Sequence, residues 1–367
     1  MKICFFISDI THTGGIERVT SNLIAQFGAD KKNYEIEVVS QFKSGERTWY
    51  PFENCHISFL SYKGYDDKPH SLSRILKMLG NLWAVRKFFK SHSYDVIIGQ
   101  SFPNVCMLYL AGVDMRRVIA AEHVYYDYYS PVQKKLRLHV YRKCNKVLVL
   151  TSSDKSCYDK HFDYEHTVLI PNPVPTLECF QSPLDNKIAV AMGRIQYQKG
   201  FDTLVDVFVE VNKKHSDWKC YIYGDGNYRD EIDNYIKKKG MQEVVILKGR
   251  TENVPAAMRE ASMFILSSRF EGFGMVLAEA MTQGLPAVSF DCPTGPSDIV
   301  KTNVNGILVE NQNKQALSDA ICYMIEHPKE RKRMGANAIE TVKEFSGDSI
   351  AKKWYKLFDE ITSERPQ

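Results

Sequence analysis

The chain lacks most of the short signatures that announce a chemistry. It has no Gly-x-Gly-x-x-Gly after its first apolar run and no Gly-Lys-Ser/Thr, so it carries neither a dinucleotide fingerprint nor a P-loop. It has no His-Glu-x-x-His, no Asp-x-Asp at a strand end and no Cys-x-x-Cys, although it contains nine cysteines. The usual zinc and divalent-cation sites are thereby removed, and neither a metal nor a cofactor is expected. No run of about 20 apolar residues occurs, which argues against a membrane-spanning helix. The opening run, MKICFFISDI, is too short for a signal-peptide core with its cleavage site and reads as a strand. Charge of one sign is also scarce: the net charge is +4, too little to argue for nucleic acid as a partner.

What is present is alternation. Short β-branched runs alternate with longer amphipathic segments along all 367 residues. Strands are expected near residues 2–8, 36–40, 56–61, 95–99, 118–122, 146–151 and 167–170, and again near 187–192, 218–223, 244–248, 263–267, 287–290 and 306–309. Helical patterns separate them, among them 17–27, 72–91, 133–144, 201–214, 228–239, 276–283 and 314–325. This predicts an α/β protein of two Rossmann-like, doubly wound domains facing across a cleft. The alternation breaks at PNPVPTLECFQSPLDN, which has four prolines and no periodicity. The expected division is therefore a first domain over 1–173, a linker over 174–186 and a second domain over 187–347. A final helix over 348–367 carries Ile350, Trp354, Leu357, Phe358 and Ile361 on one face, which must dock, and the first domain is the expected place. Cys4, Cys220 and Cys292 sit in apolar runs, so the thiols read as buried and reduced, in a cytoplasmic setting.

Several residues fall where open α/β sheets bind ligands, at the carboxyl ends of strands. The richest stretch is SSRFEGFGMVLAEA, Ser267–Ala280. Glu271 lies in its strand-to-helix loop and Glu279 on the helix that follows. Glu279 can accept from two vicinal hydroxyls, as on a ribose. Glu271 can hold sugar hydroxyls or stabilise positive charge near an anomeric carbon. A carboxylate favoured by a helix dipole explains either one alone. In AMGRIQYQKGFDTLV, Arg194 and Lys199 share one strand-to-helix loop and suit a diphosphate, the alternative being two solvated loop charges. The Gly14-Gly15 turn lets a ligand approach the backbone closely, or is a plain surface turn. His123 ends a strand and precedes an aromatic loop containing Tyr125, Tyr126, Tyr128 and Tyr129. It reads equally as a functional or a structural histidine.

The first half is mildly basic, with 23 Lys/Arg against 18 Asp/Glu over residues 1–180. Two segments mix cations with apolar residues: 72–90, with Arg74, Lys77, Arg86 and Lys87, and 133–146, with Lys134, Lys135, Arg137, Arg142 and Lys143. Such helices cover a sheet with a solvated charged face, or lie on an anionic membrane as a peripheral contact.

Taken together, GGIERV, IPNPV, GRIQYQKG, YGDG and SSRFEGFGMVLAEAMTQGLPAVSFDCPTGPSDIV resemble the retaining glycosyltransferases of family 4, which have the GT-B fold. The resemblance spans nearly the whole chain and implies an acceptor-binding first domain and a nucleotide-sugar-binding second domain. It implies that Gly14 and Gly15 lie against the donor phosphates and that Arg194 and Lys199 bind the diphosphate. It implies that Glu279 holds the ribose and Glu271 the donor sugar, with Phe273 and Gly274 offering amides. His123 matches a histidine near the donor sugar. One departure is Pro173, where many relatives have glycine, so no binding role carries over to that loop. FDCPTGPSDIV looks like the subgroup that uses UDP-hexoses or UDP-N-acetylhexosamines in bacterial surface polysaccharide synthesis, with glycan or polyprenyl-linked acceptors. Two competing readings are a nucleotide-sugar epimerase of the same fold and a non-catalytic glycan-binding protein.

Overall fold

The computed structural model describes residues 1–29, 34–61, 64, 72–175 and 181–363. The chain forms two units: Met1–Pro173 with Gly347–Gln367, and Val174–Ser346.

The first unit contains a seven-stranded sheet. Its strands are β1 (Lys2–Ile7), β2 (Glu35–Ser40), β3 (His56–Phe59), β4 (Val96–Gln100), β5 (Val118–Ala121), β6 (Lys146–Val149) and β7 (Thr167–Leu169). All pairings are parallel, in the order β3-β2-β1-β4-β5-β6-β7. A strand apolar on both sides belongs inside a parallel sheet. Accordingly β1, KICFFI, is central, with Phe5 opposite both Val38 and Ile98. The shorter β3 is only half-buried at the edge.

The second unit contains β8 (Ile188–Met192), β9 (Lys219–Tyr223), β10 (Val245–Gly249), β11 (Met263–Leu266), β12 (Ala287–Asp291) and β13 (Gly306–Glu310). They too are parallel, ordered β10-β9-β8-β11-β12-β13. In each sheet the strand order reverses direction beside the first strand: between β1 and β4, and between β8 and β11. Those switch points open a crevice at the carboxyl ends of the strands.

Three expectations are corrected. The pattern over 72–91 is two helices, Leu72–Gly80 and Leu82–Ser91. The break falls at Gly80-Asn81, where the buried Asn81 donates Nδ2–H to the Gln41 carbonyl at 3.0 Å. The Asn81 backbone stays helical, its amide donating to the Lys77 carbonyl at 3.2 Å and its carbonyl accepting from the Val85 amide at 3.1 Å, so the two helices meet at a one-residue irregularity. The span 174–186, expected as an interdomain linker, is part of the second unit over its described residues, while 176–180 lie outside them. Val174 pairs with Ser346. The Ser182 amide donates to the Gln283 carbonyl at 2.9 Å, and Arg331 donates to the Leu184 carbonyl at 3.0 Å. Finally, helices Phe102–Leu110, Ser152–Tyr158 and Pro328–Val342 are present where none was expected.

The helix Gly347–Ser363 belongs to the first unit. Its apolar stripe meets the helix Gly15–Ala29, where Phe27 packs edge-on against Trp354 and Phe358 at 6.1 and 5.6 Å between centroids. Each such buried aromatic contributes on the order of 1.5–3 kcal/mol.

Candidate active site

The second unit gathers its site residues at the switch point between β8 and β11. Lys199 ends the loop after β8, and Glu271 lies in the loop after β11. They meet at 2.7 Å, Lys199 Nζ to Glu271 Oε1, with side chains 17% and 7% exposed. A charge pair this sheltered is screened little by salt. Ser268 donates Oγ–H to the same Glu271 oxygen at 2.5 Å. The Glu271 amide donates to the Pro293 carbonyl at 2.8 Å, which fixes the backbone beneath the carboxylate.

Backbone geometry makes this approach possible. Gly200 has φ +61°, and a Cβ there would lie 2.2 Å from the Ser267 carbonyl oxygen, so only glycine lets the two loops close. Gly224 is tighter still: with φ +141°, its Cβ would fall 1.9 Å from the Gly193 carbonyl oxygen. The turn Gly224-Asp225-Gly226 thus clasps the loop that carries Arg194, with the Ile195 amide donating to the Asp225 carbonyl at 2.9 Å. Arg194 itself is exposed.

Arg269 locks the two loops in register. It grips Asp202 with two nitrogens at 3.0 and 2.6 Å, donates to the Tyr197 carbonyl at 2.6 Å and lies over the Tyr197 ring at 4.1 Å. Its amide donates to the Gln198 carbonyl at 2.7 Å, and Ser267 Oγ–H donates to the Lys199 carbonyl at 2.9 Å. Sequence reasoning missed Arg269, Asp202 and Ser268. Ser268 was open to detection, three residues before Glu271. The Arg269–Asp202 pair spans 67 residues and leaves no local signal.

Glu279 is buried on the helix Met275–Thr282, which starts after Gly274 at φ +87°. The Phe273 ring is buried against Phe345 at 5.6 Å, so any contact from Phe273 to a ligand is through its backbone.

The first unit holds the remaining expected residues. Gly15 opens the helix Gly15–Ala29, and the Glu17 carboxylate folds back on its first turn. A Cβ on Gly14 would meet Glu17 Oε2 at 2.1 Å. Burial pushes the pKa of this carboxylate up, against nearby backbone amides that favour its charged form. The anion at that helix end is thus the protein's own. His123 follows β5 and is half-buried, with Nε2 bonded to Gln100 Oε1. Burial lowers its pKa to about 4, so the ring is neutral at pH 7. Beneath it, Glu122 accepts from the His123 amide at 3.2 Å, from Arg137 at 3.3 Å and from the hydroxyls of Tyr141 and Tyr158 at 3.0 and 3.2 Å. Arg137 is fully buried and lies over the rings of Tyr126, Tyr129 and Tyr158 at 5.1–5.2 Å. The aromatic loop is therefore partly the lining of a buried ion pair. Arg137 is not a solvated helix cation.

Among the described residues no three His, Cys, Asp or Glu side chains converge as metal ligands. No described helix is long and apolar enough to cross a membrane.

Two parallel doubly wound units, with a cation–carboxylate pair at a switch point, define an α/β protein with a sheltered polar site at the strand ends of its second sheet. Comparison with known proteins makes this specific. Residues 13–177 match the family model for glycosyltransferase family 4, and residues 178–341 match that for group 1 glycosyl transferases. The chain belongs to this glycosyltransferase family and is an enzyme of that class. It is 29% identical to the amylovoran biosynthesis glycosyltransferase AmsD of Erwinia amylovora, over 98% of this chain and 99% of that one. It is 27% identical, over 98% and 99%, to an α-1,4-N-acetyl-D-galactosaminyltransferase of Campylobacter jejuni whose name specifies a diphospho-undecaprenol-linked glycan. Among solved structures, S. aureus TarM in complex with UDP, alpha-GlcNAc-glycerol and fondaparinux superposes with a TM-score of 0.78 at 19% identity, over 98% of this chain and all of that one. That likeness shows the GT-B fold.

Proposed function

We propose that the protein moves a hexose or N-acetylhexosamine from UDP to a hydroxyl of a glycan or polyprenyl-linked acceptor, with retention of the anomeric configuration, in bacterial surface polysaccharide synthesis. The observation that carries this reading is the Lys199–Glu271 pair at the β8/β11 switch point. A diphosphate arriving there competes with Glu271 for the Lys199 ammonium, and Arg194 supplies a second, bidentate cation. Glu279 takes the ribose hydroxyls. Glu271 faces the donor sugar, where a carboxylate stabilises an oxocarbenium-like centre. No metal is required, because Lys199, Arg194 and backbone amides neutralise the leaving group.

In this mechanism the C1–O bond to the β-phosphate breaks and the acceptor oxygen bonds to C1 on the same face. The departing phosphate oxygen takes the acceptor proton. His123, neutral at pH 7, serves as a hydrogen-bonding partner for the sugar and not as a cation. For Gly14 and Gly15 to approach the phosphates, the Glu17 carboxylate has to turn away from its helix end. Exposed Leu72, Leu76, Trp83 and Val132, beside Lys77, Lys87 and Lys135, support peripheral contact with an anionic membrane.

The test is a hydrolysis screen across UDP-, GDP- and ADP-sugars, followed by NMR of the product formed with acceptor. An inverted anomer removes the retaining assignment. Epimer formation from UDP-N-acetylglucosamine alone would favour the epimerase, and absence of UDP binding by calorimetry a non-catalytic protein.

A further inference from the structure

Gln100 touches the His123 ring and has no part in the chemistry above. It ends β4, in register with Ala121 at the end of β5, so it lies beside the strand end that leads into His123. Its side chain is buried, with Oε1 against Nε2 of the ring. The Gln100 backbone is fixed in turn. Its carbonyl accepts from Asn104 Nδ2–H, and Asn104 Oδ1 accepts from Ser8 Oγ–H at 3.0 Å and from Gln41 Nε2–H at 2.6 Å. The next amide, of Ser101, donates to the Ala121 carbonyl at 2.8 Å. The His123 backbone is tied as well. Its amide donates to Glu122, whose carboxylate is held by Arg137, Tyr141 and Tyr158. A side chain fixed at its backbone and at one ring nitrogen is the kind of support that keeps a ligand contact in place.

The brace also selects a proton position. A neutral imidazole carries one N–H, and the hydrogen bond made by one nitrogen decides which nitrogen carries it. An amide oxygen only accepts, so the group that meets Gln100 Oε1 is an Nε2–H. Nδ1 is then left with a lone pair. It has no hydrogen-bond partner among the described residues and is not one of their polar atoms sealed from solvent. Burial disfavours a second proton on the ring, so the lone pair persists at pH 7.

We propose that Gln100 is a positioning residue that holds His123 in its Nε2–H tautomer, so that Nδ1 accepts a hydrogen bond from a hydroxyl of the donor sugar. The proposal rests on the donor-sugar role of His123 given above and assigns the direction of that bond. A sugar with no O–H at the contact loses it, because a lone pair has nothing else to receive.

The test is heteronuclear NMR of the full chain carrying isotope-labelled histidine, with the His123 signals identified by their absence from His123→Asn. At pH 7 the wild-type ring should show a protonated Nε2 and a bare Nδ1. Gln100→Leu removes the acceptor, leaves the Asn104 bond to the backbone carbonyl in place, and should let the Nδ1–H form appear. The same variant should lower turnover of the UDP-sugar hydrolysed fastest in the screen above by about tenfold, the effect of one misdirected hydrogen bond, with UDP affinity unchanged. An Nδ1–H tautomer in the wild type, the form that a Gln100 amide turned end for end selects, overturns the proposal. So does a tautomer that Gln100→Leu leaves unchanged, or one that shifts with no loss of turnover. The wild-type spectrum decides the tautomer even where the variant fails to fold. The donor reading fails separately: a chain that hydrolyses no UDP-sugar sinks it, whereas the spectrum needs no substrate.

Discussion

The two units share one strand order around their switch points and fill those points with opposite chemistry. Beside β8 and β11, glycines bring two loops to van der Waals limits and set Lys199 against Glu271 at 2.7 Å. Beside β1 and β4, the crevice is an apolar cavity with a few polar groups in its lining, and one charged pair of that unit, Glu122 with Arg137, is fully buried. The difference shows that the fold specifies where a ligand can sit and the loop residues specify which ligand. Partly sheltered charges fit a polyanion that must be gripped and released. A fully buried pair cannot exchange partners and serves stability or positioning.

That contrast can be broken by mutation. The largest effect is expected at the buried pair. Arg137→Met should destabilise the protein by about 3–5 kcal/mol in urea unfolding, because it strands the Glu122 carboxylate. Pairing it with Glu122→Leu should recover much of that loss. A single-variant loss below about 1 kcal/mol would mean the pair is not as sealed as its geometry implies.

In the second unit the loss should fall on catalysis. Glu271→Ala should lower turnover by about 10²–10³ while UDP affinity stays nearly constant, since it removes charge stabilisation at the sugar. Glu279→Ala should instead weaken UDP itself by roughly tenfold, the value of a charged hydrogen bond. Equal loss of UDP affinity in the two variants would erase the division of roles.

A smaller effect is expected at the loop clamp. Arg269→Lys keeps the charge and loses the planar fork on Asp202 and Tyr197, so kcat should fall by about tenfold with a lesser change in KM. An increase in KM alone would make Arg269 a binding residue and not a positioning one.

The mildest test is pH. His123 has its pKa lowered to about 4 by burial, against 6.5 when unfolded. The unfolded chain therefore takes up this proton first as pH falls. The stability it contributes is complete above pH 6.5 and is lost between pH 6.5 and 4. His123→Asn should remove that component from the pH dependence of the thermal midpoint, and identical profiles for the two proteins would refute the burial argument.

Much of this was legible in one dimension. Strands advertise themselves by continuous β-branched runs, so every strand of both sheets has a counterpart in the alternation. Lys199 and Glu271 stand out in the sequence because each lies in a short strand-to-helix loop, and the structure brings the two together. The Asn81 bond to Gln41, the docking of the proline-rich span and the Arg269–Asp202 clamp were not legible, since each depends on a partner 40 or more residues away.

The sequence by itself determined the class: hydrophobic periodicity dictates two parallel sheets, and the motifs along the chain mark it as a glycosyltransferase. Tertiary structure alone decided that Lys199 and Glu271 form one pair, that Arg137 is buried under three tyrosines and that Glu17 caps its own helix. It also decided that three helices leave a cavity at the first switch point. The physical reason is the same in each case. Periodicity and loop chemistry act over a few residues, whereas burial, desolvation and charge pairing depend on which distant segments the packing brings within a few ångströms.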